Sequence, residues 1–420
     1  MGSDMVVVLK EASANATTLF GLNHHAASGL RHALHVVSGQ MHDPGELSHV
    51  CALDLPQARQ TYAVLGMQPI GQWGFTHGVN EHRVAIGVTQ WQSRLKRVQA
   101  ALAGPDLVRL ALERSRGALN AVEVLTDFLE RHGQSRTGEV NDHIFLIADS
   151  NEAFVLETAG RYWALLECGH TRVVTDAAMI RQDWRRLAPG LASFVIEKGW
   201  WQDDGSKIDF VRCLGETAEK AVNPHRRWGH ASLALAQQQG AIDLHFLRRM
   251  LAEHYTQNRD LLPNGKTMTL ASSFLIDLHK TEQPMLAWVA FGTPKVALYF
   301  PLCMLGELPA AFTEGIPASS PSIQERTQEL QKFTHGKDRT KLTSTLERLQ
   351  TKFDQDSEEF LAKAQDCAQH GKPYLVGQIA TEMMHNHVAM FETEYRRLLG
   401  VEEHVPHGLP AAEEDVLFFA

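Results

Sequence analysis

Residue 3 of this chain is a serine, and after Asp4 the sequence runs straight into the apolar, β-branched stretch MVVVL. A strand beginning at residue 5 holds residues 3 and 4 at the end of a sheet, where most chain termini fray. A terminal serine has its own α-amine as neighbour once Met1 and Gly2 are removed. That amine titrates at roughly 7.7–8, so a single residue supplies both nucleophile and base. The bland alternative is a flexible or tag-derived start. A second concentration of chemistry follows in NHHAASGLRHALHVVSGQMHD, which carries His24, His25, His32, His35 and His42. His32 and His35 lie three apart, a spacing compatible with a metal site. No Cys pair or HExxH accompanies them, so a polar pocket near residue 3 or a solvated loop is the favoured reading. His385 and His387, in HNH, are expected on the solvated surface of a helix.

The chain has 420 residues with 44% hydrophobic and 21% charged residues, the composition of a globular protein with a full core. Its net charge of −9 gives no overall attraction to nucleic acid or anionic membrane. No apolar run approaches the roughly 18 residues that span a bilayer. MVVVL is too short for a secretory h-region, and the start is read as carrying no signal peptide. Five scattered cysteines, Cys51, Cys168, Cys213, Cys303 and Cys367, form no CxxC pair. They are expected as mostly buried thiols in a reducing, cytoplasmic setting.

The elements that must position these residues follow from periodicity. MVVVL and TTLFGL flank the turn-like EASANA, and HVCALDL, YAVLGM and HRVAIGV are further short strands. Residues 105–133 show apolar spacings of three and four, with Pro105 at the opening and Gly133 at the close, and predict two helices. IFLIADS, AFVLETA, YWALLE and TRVVTD return to strands, with a tight hairpin at Asn151. Helices are expected over 205–220 and 231–258, then strands in TMTLASSFLIDL, MLAWVAFG and VALYFPL. From 321 the pattern is amphipathic helix throughout. The order of elements predicts an α+β fold of antiparallel sheets covered by helices, spanning 3–315. GIPASSP links it to a helical extension over 321–400, and 401–420 form a tail.

The segment Ser3-Asp4-MVVVLKEASANATTLFGLN resembles the start of the secernins and related cysteine dipeptidases, which belong to the N-terminal-nucleophile hydrolase superfamily. Those chains begin with Cys-Asp, a strand, an acidic-Ala turn and a Phe-Gly-x-Asn segment. WGFTHGVNEHRVAIG (73–87), DLVRLALERS with ERHGQ, and FLIADSNEAFVLETAGRYWALLE (145–167) are similar to later blocks of that family in order. So are MTLASSFLIDL and WVAFGTPKVALYFPL with its Gly-Thr-Pro turn. The resemblance runs from about 3 to 303. It implies a four-layer αββα sandwich of two antiparallel sheets and cleavage of an amide or peptide C–N bond, without a cofactor. Acyl transfer on the same fold is a variant of that chemistry.

The family nucleophile is an N-terminal Cys, and Ser3 holds its place. Three readings of this departure stand: Ser is the native nucleophile, a Cys→Ser replacement has been introduced, or catalysis has been lost. The family's Asn-Ser-Asp is here Asn23-His24-His25, so His25 takes the Asp position and an acid/base or orienting role. The oxyanion Asn after the VAIG strand is replaced by Val88-Thr89-Gln90, and Thr89 or Gln90 is the expected donor. Asp176 replaces a second family Asn and is expected to bind a cationic substrate group or orient the amine. Asn23, His24, Trp73 and His143 are candidate substrate contacts. Trp200-Trp201 and Trp73–Phe75 bound a cleft or pack in the core, Asn80-Glu81 makes a turn, and Glu157-Thr158 is structural. The partner is a small amide or peptide, with no nucleic acid or membrane, and a homo-oligomer is a further expectation. The contrasting reading is a non-catalytic scaffold that keeps the fold and uses its helical tail for partners.

Overall fold

The computed structural model describes residues 2–400 apart from 28, 52, 96–100, 135–141, 216–221, 259–267, 280–281, 293–296, 314–320 and 331–336. The expected Gly-Thr-Pro turn, the GIPASSP link and the 401–420 tail fall wholly or largely outside the described residues.

The strands, in chain order, are β1 (Gly2–Val8), β2 (Leu19–Ala27), β3 (His32–Val37), β4 (Gln40–Met41), β5 (Leu47–Val50) and β6 (Leu53–Pro56). They continue as β7 (Gln60–Thr61), β8 (Val64–Pro69), β9 (His77–Asn80), β10 (Ala85–Trp91), β11 (Asp142–Ala148) and β12 (Ala153–Ala159). The last are β13 (Tyr162–Glu167), β14 (Thr171–Val174), β15 (Arg186–Leu187), β16 (Met268–Asp277), β17 (Leu286–Phe291) and β18 (Phe300–Cys303). Two large antiparallel sheets result. One has the order β14-β1-β2-β16-β17-β18, the other β15-β13-β12-β11-β10-β9-β8-β3.

The helices explain why both faces of each sheet are apolar. Helices α1 (Gly104–Leu112) and α2 (Ala118–His132) cover the outer face of the eight-stranded sheet. A carboxylate holds the N-terminus of each. Asp106 accepts the Ala103 N–H at 3.0 Å, and Asp149 accepts the Ala118 N–H at 2.8 Å. Gly133, at φ 71°, ends α2 in a conformation that glycine adopts without strain. Short helices α3 (Leu191–Glu197) and α4 (Phe210–Leu214) follow. Helices α5 (Val222–Gln237) and α6 (Leu244–Asn258) cover the six-stranded sheet. Between the two layers of helices, β1 faces β10 and β11. The αββα sandwich expected from the resemblance is therefore the architecture of the described residues.

Strand alternation divides the core in two. Met5 and Val7 of β1, with Phe20 and Leu22 of β2, point between the sheets. Val6 and Val8 point the other way, onto Ala231, Leu235, Leu247 and Leu251 of α5 and α6. Three helices complete the described chain: α7 (Ile323–Leu330), α8 (Lys337–Gln369) and α9 (Leu375–Leu399). Phe353 of α8 and Phe391 of α9 pack on Phe300 of β18, at ring separations of 5.3 and 5.7 Å. These helices thus extend the inter-sheet core past the edge strand.

Some local expectations differ from the structure. HVCALDL is a hairpin of β5 and β6 rather than one strand, turning at Cys51 with φ 53°. The helix expected over 231–258 starts earlier, at Val222, and is interrupted at Gly240, whose φ is 84°. Of 205–220, only Phe210–Leu214 is helix among the described residues. His387 is buried rather than on the surface. It stacks on Phe353 at 4.1 Å and its Nε2 lies 3.1 Å from Asp356 Oδ2, a placement that amphipathic periodicity alone does not reveal. Cys168, Cys213 and Cys303 are buried, and all five cysteines are free thiols. No helix among the described residues is long and apolar enough to cross a membrane.

Gly87 of β10 permits the close approach of the sheets beside residue 3. A Cβ there would lie 2.8 Å from Met5 Sδ and 3.0 Å from Leu22 Cδ2. Gly87→Ala should therefore cost about 1–3 kcal/mol in denaturant unfolding, as overpacked cores do. A change smaller than about 0.5 kcal/mol would show that the sheets have slack at this point.

Candidate active site

The antiparallel register of β1 and β2 sets Ser3 opposite His24 and Asp4 opposite Asn23. Ser3 and His24 share the inner face, while Asp4 and Asn23 share the face under α5 and α6. The Ser3 side chain is buried, 1% exposed, and three groups hold it. Its Oγ lies 3.0 Å from His24 Nδ1 and donates to the Val88 carbonyl at 2.9 Å. Its backbone N–H donates to Thr89 Oγ1 at 2.8 Å. Thr89 accepts in that bond, so its own hydroxyl proton is left for another acceptor.

His24 is one of three buried imidazoles on this face. The His32 ring from β3 meets it edge-on at 5.1 Å, and the His77 ring from β9 lies 6.0 Å away. Burial holds His24 well below the ordinary histidine range, and the neighbouring His32 and His77 push it further down. Burial likewise brings His32 down to about 4 and His77 to about 3. The trio is uncharged at neutral pH. His24 Nε2, one ring nitrogen of His32, His77 Nε2 and Ser272 Oγ are buried with no hydrogen-bond partner among the described residues. Ser272 is paired with His24 across β2 and β16, next to a β-bulge. Buried polar groups are rarely left unpaired, so this concentration marks a place where water or a ligand completes the bonding. No three His, Cys, Asp or Glu side chains among the described residues form a set that could hold a metal ion.

Asp4 is buried on the opposite face of β1, among cationic and polar groups. Arg227 Nε of α5 lies 3.2 Å from both its oxygens. His25 Nε2 and His254 Nε2, from β2 and α6, lie 3.2 and 3.1 Å from Oδ2. Burial alone would raise this carboxyl, but Arg227, His25 and His254 outweigh it and hold it well below its usual value. Arg227 also donates to Asp176. That carboxyl moves the other way: burial raises it, and the Asp4 charge adds to the effect against the pull of Arg227. One guanidinium thus faces a buried and a partly buried carboxylate, and Asp4 is the better neutralised.

The structure brings Ser3, His24 and Thr89 together, with His25 and Asp176 behind them around Asp4 and Arg227. Asn23 donates to the Leu251 carbonyl of α6 at 2.9 Å, tying β2 to the helix layer. Gln90 follows Thr89 on β10 and pairs with His143 across β10 and β11. The His143 ring sits between Gln134 Oε1, 2.6 Å from Nδ1, and the Gly104 N–H, 3.2 Å from Nε2. It anchors the start of α1. Trp73 lies under the Arg109 guanidinium of α1 at 4.2 Å. Glu157 accepts the Met179 and Ile180 N–H groups at 2.5 and 3.0 Å, a bonding role within the fold.

Arg227, His254, His77, Ser272 and the Val88 carbonyl did not emerge as site groups from the sequence. His77 lies inside the WGFTHG block and Ser272 inside MTLASSFLIDL, so both were within reach of the strand pattern. Arg227 and His254 come from amphipathic helices, and no spacing links them to Asp4.

No known protein-family profile matches the chain. Solved structures similar to it include a conjugated bile acid hydrolase from Clostridium perfringens, at TM-score 0.43 and 12% identity over 72% of this chain and 92% of that one. A penicillin V acylase from Agrobacterium tumefaciens gives 0.43 and 13%, over 72% and 86%. An N-acylethanolamine-hydrolyzing acid amidase ortholog from Caenorhabditis elegans gives 0.35 and 11%, over 66% and 94%.

The histidines make the fold acid-sensitive in a defined direction. Unfolded histidine binds a proton below its ordinary value of 6.5, whereas His32 and His77 in the fold do so only near 4 and 3. The unfolded chain therefore binds more protons across that window, and stability should fall as pH drops from 6.5 towards 4, by roughly 3 kcal/mol for His32 alone. Denaturant titrations at each pH test this, and a flat profile from 6.5 to 4 would contradict it. Arg227→Met should cost about 3–5 kcal/mol, because it leaves the buried Asp4 and the partly buried Asp176 without their cation. A loss below about 1 kcal/mol, read by thermal melting, would show that Asp4 does not need it.

Proposed function

We propose that the protein hydrolyses small amides or peptides, with the Ser3 hydroxyl as nucleophile. The observation that carries this is the Ser3 Oγ at 3.0 Å from an uncharged, buried imidazole nitrogen, with its backbone N held by Thr89. The resemblance of the 3–303 segment to N-terminal-nucleophile hydrolases supports the same reaction class. Ser3 attacks the amide carbonyl carbon, the Thr89 hydroxyl proton is the donor to the developing oxyanion, and water later releases the acyl group. Asp4, His25, Arg227 and Asp176 act as positioning residues, fixing the head of β1 from behind. The reaction of the family it resembles takes the α-amine of residue 3 as base, which requires the loss of Met1 and Gly2.

A second reading, a non-catalytic binding protein on this fold, is favoured by one observation. Gly2 is part of β1 and pairs with His25, so residues 2 and 3 are built into the sheet as ordinary amides. Two measurements separate the readings. Turnover of a panel of dipeptides and N-acyl amino acids should fall at least 100-fold in Ser3→Ala and persist in Ser3→Cys, since a thiolate is the stronger nucleophile. Equal turnover in wild type and Ser3→Ala would remove Ser3 from the reaction. If nothing on the panel is turned over, iodoacetamide labelling of Ser3→Cys decides: labelling at residue 3 no faster than at the five native thiols leaves the binding protein.

A further inference from the structure

We propose that His24 is the proton acceptor and donor for Ser3, so that the chain forms a serine–histidine pair competent with Met1 and Gly2 still attached. This rests on the proposed hydrolase reading and replaces its base.

Two features of the structure lead here. With Gly2 in place, the nitrogen of Ser3 is an amide whose lone pair is delocalised, and its hydrogen is already given to Thr89 Oγ1. It cannot take the hydroxyl proton. His24 Nδ1, at 3.0 Å from Oγ, is within the range a general base requires. Two hydrogen arrangements fit the same heavy atoms. In one, the Ser3 hydroxyl donates to Val88 O at 2.9 Å and His24 carries its proton on Nδ1. In the other, the proton of His24 is on Nε2 and the hydroxyl turns towards Nδ1. The second is the reactive form.

The unpartnered atoms give this arrangement its proton path. In the reactive tautomer the His24 Nε2–H needs an acceptor, and Nε2 has no partner among the described residues. The adjacent His32 and His77 rings each offer a nitrogen in the same condition. Among the described residues, the ionisable neighbours of His24 are these two and His25, beside it on β2. When His24 becomes an imidazolium, an uncharged neighbouring ring can accept its Nε2–H bond. Such a bond would offset part of the lowering that burial and the two neighbouring rings impose on His24.

The steps balance without any further reagent. As the Ser3 Oγ–C bond forms, the hydroxyl proton moves to His24 Nδ1. The tetrahedral intermediate then collapses, the C–N bond breaks, and the same proton goes to the leaving amine. Water attacks the acyl-serine ester, its proton passes to Nδ1 and then to Ser3 Oγ, and a carboxylic acid leaves.

The test uses the full chain and a fluorophosphonate probe, with intact mass establishing that residues 1 and 2 are present. The expected result is one label, mapped to Ser3. Its rate should be independent of pH from 8 down to 6.5, with any acid limb lying below that, because His24 stays unprotonated there. His24→Asn, which keeps a hydrogen-bonding group but no base, should label at least 100-fold more slowly at an unchanged melting temperature. The pH profile needs only the wild-type chain, so a misfolded variant does not block the test. Labelling that appears only after residues 1 and 2 are lost, and rises through roughly pH 7.7–8, would assign the base to the α-amine. That result overturns the role of His24 and leaves the hydrolase reading standing. No label at Ser3 in either form overturns both.

Discussion

Beneath the head of β1 a carboxylate lies in a layer closed off from solvent, and three elements meet to keep it charged. Asp4 takes a guanidinium edge from α5 and one imidazole nitrogen each from β2 and α6. A buried charge without such partners would cost several kcal/mol, so the positions of these elements are tied to that of Asp4. The segment that most chains leave loose is fixed here from behind. Asp176 enlarges the cluster to two carboxylates on one cation, which makes Arg227 the group on which the balance turns.

Strand geometry converts that anchor into a site. Successive side chains of β1 face opposite ways, so holding Asp4 on the helix side presents Ser3 between the sheets. There it meets the Val88 carbonyl and Thr89 of β10, which can approach because Gly87 brings no side chain to the contact. The inner face supplies uncharged imidazoles where the outer face supplies charges. The uncharged imidazoles and the charged anchor are thereby separated by the thickness of one strand, which keeps the Asp4 charge off Ser3.

Much of this was legible in the sequence. MVVVL, the 105–133 helices and the Asn151 hairpin follow from periodicity and turn chemistry, and the layer order follows from the family resemblance. The site was legible only in part. Thr89 or Gln90 was read as the oxyanion donor beside Ser3; the structure sets Thr89 Oγ1 on the Ser3 backbone N–H. His25 was read as the group acting on residue 3, with His24 as a substrate contact; the structure sets His24 on Ser3 Oγ and His25 on Asp4. Which of two adjacent histidines faces inward depends on the register of β1 against β2, and a slip of one residue would exchange them. Arg227 and His254 are more than 220 residues from Asp4 in the chain, beyond any local pattern. His387 shows the same limit: burial of a polar residue on an amphipathic helix depends on a partner, Asp356, that lies on another helix.

The central claim, that Ser3 is a nucleophile, is tested most directly by trapping its acyl form. The protein is mixed with excess p-nitrophenyl acetate, quenched in acid within the first turnover, and digested for peptide mass spectrometry. The account predicts one acetyl group per chain, on the peptide bearing Ser3, and its disappearance after longer incubation. Acetyl groups spread over surface lysines with residue 3 unmodified would contradict it.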